Sequence, residues 1–258
     1  MPFLARPGAD LYYQVAGHGP TIIFAHGLGG NHISWWQQVP EFAQRWTCVV
    51  FAARGFAPSR VSTPLPADRS LVEVFAADLA ALIEELRVDE MVLVSQSLGG
   101  WTCLEYALSH PERVRALVLA DTTGTVRPTA RADTAEAQRL RALGIHPACG
   151  ERMAREQPAL HELYRSLDAL SLDLDKEAVR AAGLAARVRD LGAVATLPMP
   201  VLGIAGAEDV LIAPEAVRAT VQAMPNGCYE EVPTSGHSVY FERPEAFNAL
   251  VGEFLRSV

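Results

Sequence analysis

Between Thr21 and Ala120, and again from Val201 onward, short runs of β-branched and apolar residues alternate with stretches of helical spacing. The runs are Thr21-Ile-Ile-Phe-Ala25, Cys48 to Phe51, Met91 to Val94, Val114 to Ala120, Val201 to Ala205 and Cys228 to Val232. The helical stretches are Leu71 to Leu86, Leu98 to Leu108, Pro214 to Met224 and Pro244 to Leu255. Apolar runs this short do not make helices, and being apolar throughout they suit strands covered on both faces. Their alternation with helices predicts an α/β fold in which crossover helices join the strands of a mostly parallel sheet. Leu11 to Val15 alternates in polarity and reads as a further strand. Pro214 and Pro244 stand at first-turn positions, where the missing amide hydrogen costs nothing. In the last helix Phe247, Leu250 and Phe254 share one face, which is expected to dock on the sheet.

The alternation breaks between Asp121 and Pro200. Leu160, Leu163, Leu167 and Leu170 fall at helical spacing there, the β signal is weak, and Gly144, Pro147, Gly150 and Pro158 punctuate the stretch. A chain of 258 residues, half of them apolar, fills one large domain. Residues 122–200 are too short and too weakly apolar for a core of their own. They are expected to form a helical cap inserted into a core domain made of residues 1–121 and 201–258.

The formal charge of -8 repels phosphate backbones and anionic headgroups, which excludes nucleic acid and membrane surfaces as partners. That charge is uneven: residues 122–200 hold eleven Lys and Arg against ten Asp and Glu, so the acidity lies outside the insert. A less acidic insert suits an anionic substrate; a solvated surface of mixed charge accounts for the same count. The cysteines Cys48, Cys103, Cys149 and Cys228 show no paired spacing of a zinc or redox site and are expected to be free buried thiols in a reducing cytoplasm. No leader pattern and no long uncharged apolar run occurs, so a cytoplasmic protein, monomer or homodimer, is expected.

The chemistry concentrates where an apolar strand turns abruptly into a helix at a serine, in Met91-Val-Leu-Val-Ser-Gln-Ser-Leu-Gly-Gly-Trp101. Such a turn strains the central residue and needs small neighbours two places on either side, here Ser95 and Gly99. Ser95-Gln-Ser97-Leu-Gly99 resembles the nucleophile elbow of the α/β-hydrolase superfamily, G-x-S-x-G, with Ser95 in place of the first glycine. The resemblance runs from about Leu11 to Val258 and is specific at three loops. It implies the α/β-hydrolase fold, with the cap entering after the sixth strand, and a nucleophile, acid and base in that chain order.

A serine hydroxyl needs a base, and the base needs an orienting carboxylate. Val201 to Pro214 resembles the segment that carries the acid, which makes Asp209 the candidate; Glu208 and Asp121 are the alternatives, and Asp209 also suits a cap for the following helix. Ser235-Gly-His237, followed by Glu242-Arg-Pro244, resembles the loop that carries the base, His237. His26-Gly-Leu28-Gly-Gly30 resembles the oxyanion loop, and the resemblance implies backbone amides of Leu28 and Leu98 as the oxyanion donors. His26 itself reads as a brace for that loop. Phe51-Ala-Ala-Arg54-Gly-Phe-Ala-Pro-Ser59 resembles the family's D-x-R-G-x-G-x-S loop, but Ala52 stands where the aspartate is usual, so Arg54 either finds another acid or faces the site.

These parts imply hydrolysis of a small-molecule carboxylic ester or lactone, with no metal or organic cofactor required. Small esterases and lactonases, including proteins like 3-oxoadipate enol-lactonase, match best. Carbon-carbon bond hydrolases of vinylogous diketones come second, and a slow or inactive small-ligand receptor of the same fold is the reading of another class. Trp35, Trp36, Trp101, Met153 and Tyr240 lie beside the catalytic loops or in the cap and serve equally as pocket lining or core. Gln96 flanks the elbow and either contacts substrate or braces the loop.

Overall fold

The computed structural model describes residues 2–63, 69–170 and 175–258. The first half of the chain runs β1 (Phe3–Arg6), β2 (Ala9–Ala16), β3 (Thr21–Ala25), α1 (Val39–Phe42), β4 (Thr47–Phe51), β5 (Arg60–Val61), α2 (Leu71–Glu85), β6 (Met91–Gln96), α3 (Leu98–Ser109) and β7 (Val114–Ala120). Four helices follow: α4 (Thr134–Ala142), α5 (Gly150–Glu156), α6 (Pro158–Leu170) and α7 (Lys176–Ala185). The chain then returns to the sheet with β8 (Val201–Gly206), α8 (Pro214–Gln222), β9 (Gly227–Val232), α9 (Val239–Glu242) and α10 (Pro244–Arg256).

The strands form one sheet in the order β1-β2-β4-β3-β6-β7-β8-β9, with β5 against β2. β2 is antiparallel to β1, β4 and β5, and every pair from β4 to β9 is parallel. The central strands are apolar on both sides because both faces are covered. Leu79 and Leu82 of α2, Leu104 of α3 and Val217 of α8 share a core with Ile23, Leu93 and Leu117 on one face. Phe42 of α1 and Phe247 and Val251 of α10 meet Phe24, Val94 and Val118 on the other. The outer strand β9 is only partly buried, and its Glu230 and Glu231 put charge on an edge that would otherwise invite another strand. Among the described residues no helix is long and apolar enough to cross a membrane.

The strand and helix boundaries follow the sequence pattern closely, and the departures lie in which residues are buried. α10 buries Phe247, Val251, Phe254 and Leu255, so its docked face is centred one residue past Leu250, which is only partly covered. On α6 the buried residues are His161, Tyr164 and Leu167, whereas Leu163 and Leu170 are exposed. Tyr164, which meets Phe241 edge-on at 5.1 Å, sets the orientation of this helix in place of the leucine stripe. Cys48, Cys103 and Cys149 are buried, but Cys228 is exposed because it lies on the edge strand. The insert follows the sixth strand of the sheet if the two-residue β5 is left out of the count, and the seventh with it.

The insert leaves and re-enters the sheet at one place. The Arg127 amide donates to the Arg189 carbonyl at 2.9 Å, and the Arg189 amide to the Thr125 carbonyl at 3.3 Å, so its two ends are tied side by side.

Arg54 does find another acid. Its Nε and Nη2 donate to the two carboxylate oxygens of Asp78 on α2, each at 2.8 Å, and its Nη1 donates to the Pro7 carbonyl. Both side chains of this pair are 4% exposed, and Arg6 Nε joins Asp78 from the edge at 3.0 Å. A helix residue thus supplies the charge that position 52 lacks, and the loop after β4 is anchored across α2. Removing one partner of a buried pair leaves an uncompensated charge, so Asp78→Ala is expected to lower the unfolding free energy by about 3–5 kcal/mol in urea titration. The apolar double replacement Arg54→Met with Asp78→Leu is expected to recover most of that loss.

Candidate active site

From β3 the chain moves to β4 on one side and returns to β6 on the other, so the strand order reverses there. A reversal of this kind opens a crevice beyond the carboxyl ends of the strands. Ala25 is in register with Ser95, which sets the loop after β3 beside the turn after β6. They approach so closely that a Cβ on Gly27 would lie 3.2 Å from that of Ser97 and 2.0 Å from Gln96 Oε1.

Ser97 sits between β6 and α3 at φ 50° and ψ -113°, a backbone conformation that side chains disfavour. Its amide donates to the Ala120 carbonyl at 3.0 Å, and its carbonyl accepts from Thr122 Oγ1 at 2.8 Å. A Cβ at Gly99 would come within 2.1 Å of the Ala25 carbonyl oxygen, so only hydrogen fits there. Ser95, the departure from the usual glycine, is fully buried and its hydroxyl donates to the Val118 carbonyl at 2.8 Å. The extra polar atom is therefore satisfied on the neighbouring strand.

Three distant segments meet at this turn. His237 Nε2 lies 2.9 Å from Ser97 Oγ, and its Nδ1 lies 2.7 Å from Asp209 Oδ2. Asp209 Oδ1 accepts from the amides of Leu211 and Ile212 at 2.7 and 3.0 Å, so this carboxylate both faces the histidine and ties down the turn before α8. The two alternative acids are occupied elsewhere. Glu208 pairs with Arg152 of α5 at 2.6 Å. Asp121 accepts from the amides of Gly206 and Val239, and burial, with the nearby Asp209 carboxylate second, raises its pKa well above the usual range.

The loop carrying His237 is held from behind by buried carboxyl groups. Glu242 accepts from the amides on both sides of the histidine, Gly236 at 3.1 Å and Ser238 at 3.2 Å. Gln96 reaches across from β6 and donates to the His237 carbonyl at 2.7 Å. It thus braces the loop, and it also lines the cavity above Ser97. His26 accepts the Ala53 amide on Nε2 at 2.9 Å, with Nδ1 2.8 Å from the Gly27 carbonyl, and burial lowers its pKa to about 4. It is a neutral strut between two loops.

The cavity over Ser97 has a volume of about 1010 Å³ and is walled by both the sheet loops and the insert. Leu28 and Leu98 line it beside Ser97. The Leu98 amide is the first of α3, where no intrahelical acceptor exists. An oxyanion placed beside Ser97 Oγ would therefore meet donors at a helix N-terminus. Trp101 also lines the cavity, whereas Trp35 and Tyr240 do not. Those two rings lie 4.4 Å apart in the core with Phe24 and Phe247, because the short helix before Trp36 turns its last ring under the sheet. Met153 is buried in the same core and Trp36 is exposed. The insert residues Tyr164, Asp168 and Arg187 at the cavity carried no motif in the sequence. Glu242 lay within a recognised string but without a role. Among the described residues no cluster of three or more His, Cys, Asp or Glu is placed to hold a metal.

A model of the alpha/beta hydrolase fold family matches residues 20–244. The chain is 31% identical to "Putative non-heme bromoperoxidase BpoC" of Mycobacterium tuberculosis, over 96% of this chain and 98% of that one. It is 28% identical to 3-oxoadipate enol-lactonase 2 of Acinetobacter baylyi, over 90% of this chain and 87% of that one. A thermophilic esterase from Thermogutta terrifontis superimposes with a TM-score of 0.78 at 26% identity, over 99% of this chain and 96% of that one.

Burial pushes the Glu242 carboxyl from its ordinary 4.5 up to about 8, against the two amides that favour its charge. Between those values the folded protein keeps a proton that the unfolded chain has released. Stability contributed by that proton is therefore lost as pH rises from about 4.5 to about 8 and changes little above. In urea unfolding at about pH 5 and pH 8, Glu242→Gln is expected to lose less stability over the interval than the wild type.

Proposed function

The chain belongs to the α/β-hydrolase family, and on that footing we propose that it is a serine hydrolase cleaving a carboxylic ester or lactone through an acyl-enzyme on Ser97. The observation that carries this reading is the continuous chain of contacts Ser97 Oγ, His237, Asp209, at 2.9 and 2.7 Å, on a turn held at positive φ.

In the proposed cycle His237 Nε2 takes the Ser97 hydroxyl proton as Oγ adds to the substrate carbonyl carbon, while Nδ1–H remains on Asp209. The oxyanion rests on the amides of Leu28 and Leu98. As the tetrahedral adduct collapses, His237 returns the proton to the leaving alkoxide. A water then loses its proton to the same nitrogen and adds to the acyl carbon; as this second adduct collapses, His237 returns the proton to Ser97 Oγ, which releases the acid and restores the hydroxyl. Residues 122–200 form the cap in this reading and select the substrate. The likeness to an enol-lactonase and an esterase supports ester or lactone cleavage.

A fluorophosphonate is expected to label Ser97 and no other residue, as read by peptide mass spectrometry; label elsewhere overturns the assignment. With short aryl esters, Ser97→Ala is expected to abolish turnover with folding intact. Asp209→Asn is expected to lower kcat by about 10⁴-fold, since the histidine then loses its orienting acceptor.

A further inference from the structure

The insert carries most of its cations in pairs. Arg152 takes Glu208, Lys176 takes Asp168 and Arg180 takes Glu177. Arg189 takes both oxygens of Glu105 on α3, each at 2.6 Å. Arg187, two residues earlier in the same segment, points the other way. It lines the cavity, and its guanidinium lies 5.8 Å from the centre of the Trp101 ring. It has no carboxylate partner among the described residues, and its Nε is buried with no hydrogen-bond partner. Burial lowers its pKa, which is the cost of placing a guanidinium in a wall without a counter-charge.

The placement is built rather than incidental. α7 lies against Trp101 so closely that a Cβ on Gly183 would come within 1.7 Å of the ring. Gly183 and Arg187 are four residues apart, so the glycine lets the end of this helix settle on the indole and the arginine closes over it. Trp101 in turn stands one turn along α3 from Ser97, about 6 Å along the helix axis. Arg127, Arg131 and Arg141 also border the cavity without a carboxylate partner among the described residues. On a molecule of net charge -8 this cavity wall is locally cationic, since its lining holds six Lys and Arg against Asp168 and Glu177.

We infer that the substrate carries a free carboxylate besides the bond that is cleaved, and that Arg187 on Trp101 is the anchor for it. One planar guanidinium with an orphaned Nε–H matches a planar, singly charged carboxylate, which accepts two parallel hydrogen bonds. Leu184, Leu211 and Ile212 border the same space and suit the methylenes between the carboxylate and the reacting carbonyl. The arginines at the border would draw an anion in from solution, an effect that weakens with salt. This inference rests on the serine hydrolase reading for the identity of the cleaved bond, and on the cavity alone for the charge of the ligand.

The test compares monoethyl succinate, adipate and suberate with ethyl butanoate, hexanoate and octanoate, pairs that differ only in a carboxylate against a methyl group. In the wild type kcat/KM is expected to favour the anionic member by about 10- to 100-fold at the best length, mainly through KM. Arg187→Gln is expected to bring that ratio close to one, and Arg187→Lys, which keeps the charge without the fork, to restore part of it. Arg165→Gln, on the outer side of α6, is expected to leave the ratio as it is. A wild-type ratio near one, or a ratio that Arg187→Gln does not change, overturns the inference. Fluorophosphonate labelling of Ser97 in each variant reports an intact site. If neither ester series is turned over and Ser97 takes no label, the hydrolase reading has failed. Calorimetry with adipate then decides the anion site separately: binding lost in Arg187→Gln supports it, and no binding to the wild type overturns it.

Discussion

A backbone at φ 50° stays there only when its surroundings leave no alternative, and at Ser97 they leave none. Its amide is bound to the end of β7, its carbonyl to Thr122, and the next turn of α3 is pressed against the Ala25 carbonyl through Gly99. β3, β6, β7 and α3 are thereby locked at one point. The strand order reverses at that same point, so the crevice opens directly above the hydroxyl. The other parts of the site are arranged around this fixed residue. His237 and Asp209 come from loops after β9 and β8, and Leu28 from the loop after β3.

The support for these loops is electrostatic as much as hydrophobic. Arg54 and Asp78 anchor the loop after β4, and the neutral ring of His26 links that loop to the one bearing Leu28. Asp121 and Glu242, both buried and both pushed toward their protonated forms by burial, hold the amides of Gly206, Gly236, Ser238 and Val239 around the histidine and its acid. Through these amides both carboxyls position the loops of the site, although neither touches Ser97.

Legibility differed between the sheet domain and the insert. In the sheet domain Ser97, His237 and Asp209, which the structure brings together, lie in short strings that resemble family loops, each made by a strand end, a tight turn or a helix start. Trp35 and Tyr240 could not be placed in the same way. Both stand near site loops in sequence, but a ring swings several ångströms, and here it swings into the core beneath the sheet. On α6 the leucine spacing indicated a helix, but it did not indicate which face is buried. Which face is covered depends on what lies opposite, and Phe241 of α9 takes Tyr164. The substitute for the missing aspartate at position 52 was equally hidden, because Asp78 is brought to Arg54 by the packing of α2 and by nothing in the loop itself.

The amino-acid sequence by itself determined the strand and helix alternation and the sharp turn at Ser97, since these follow from periodicity and from where small residues permit a bend; Asp209 and His237 were singled out by the resemblance of their loops to those of a known family. Tertiary structure alone decided which of Asp209, Glu208 and Asp121 faces His237, what neutralises Arg54, and that Arg187 rather than Arg189 lines the cavity without a carboxylate partner among the described residues. Each of those outcomes is a contact between residues far apart in the chain. Such contacts depend on distances and on burial, which no local pattern encodes.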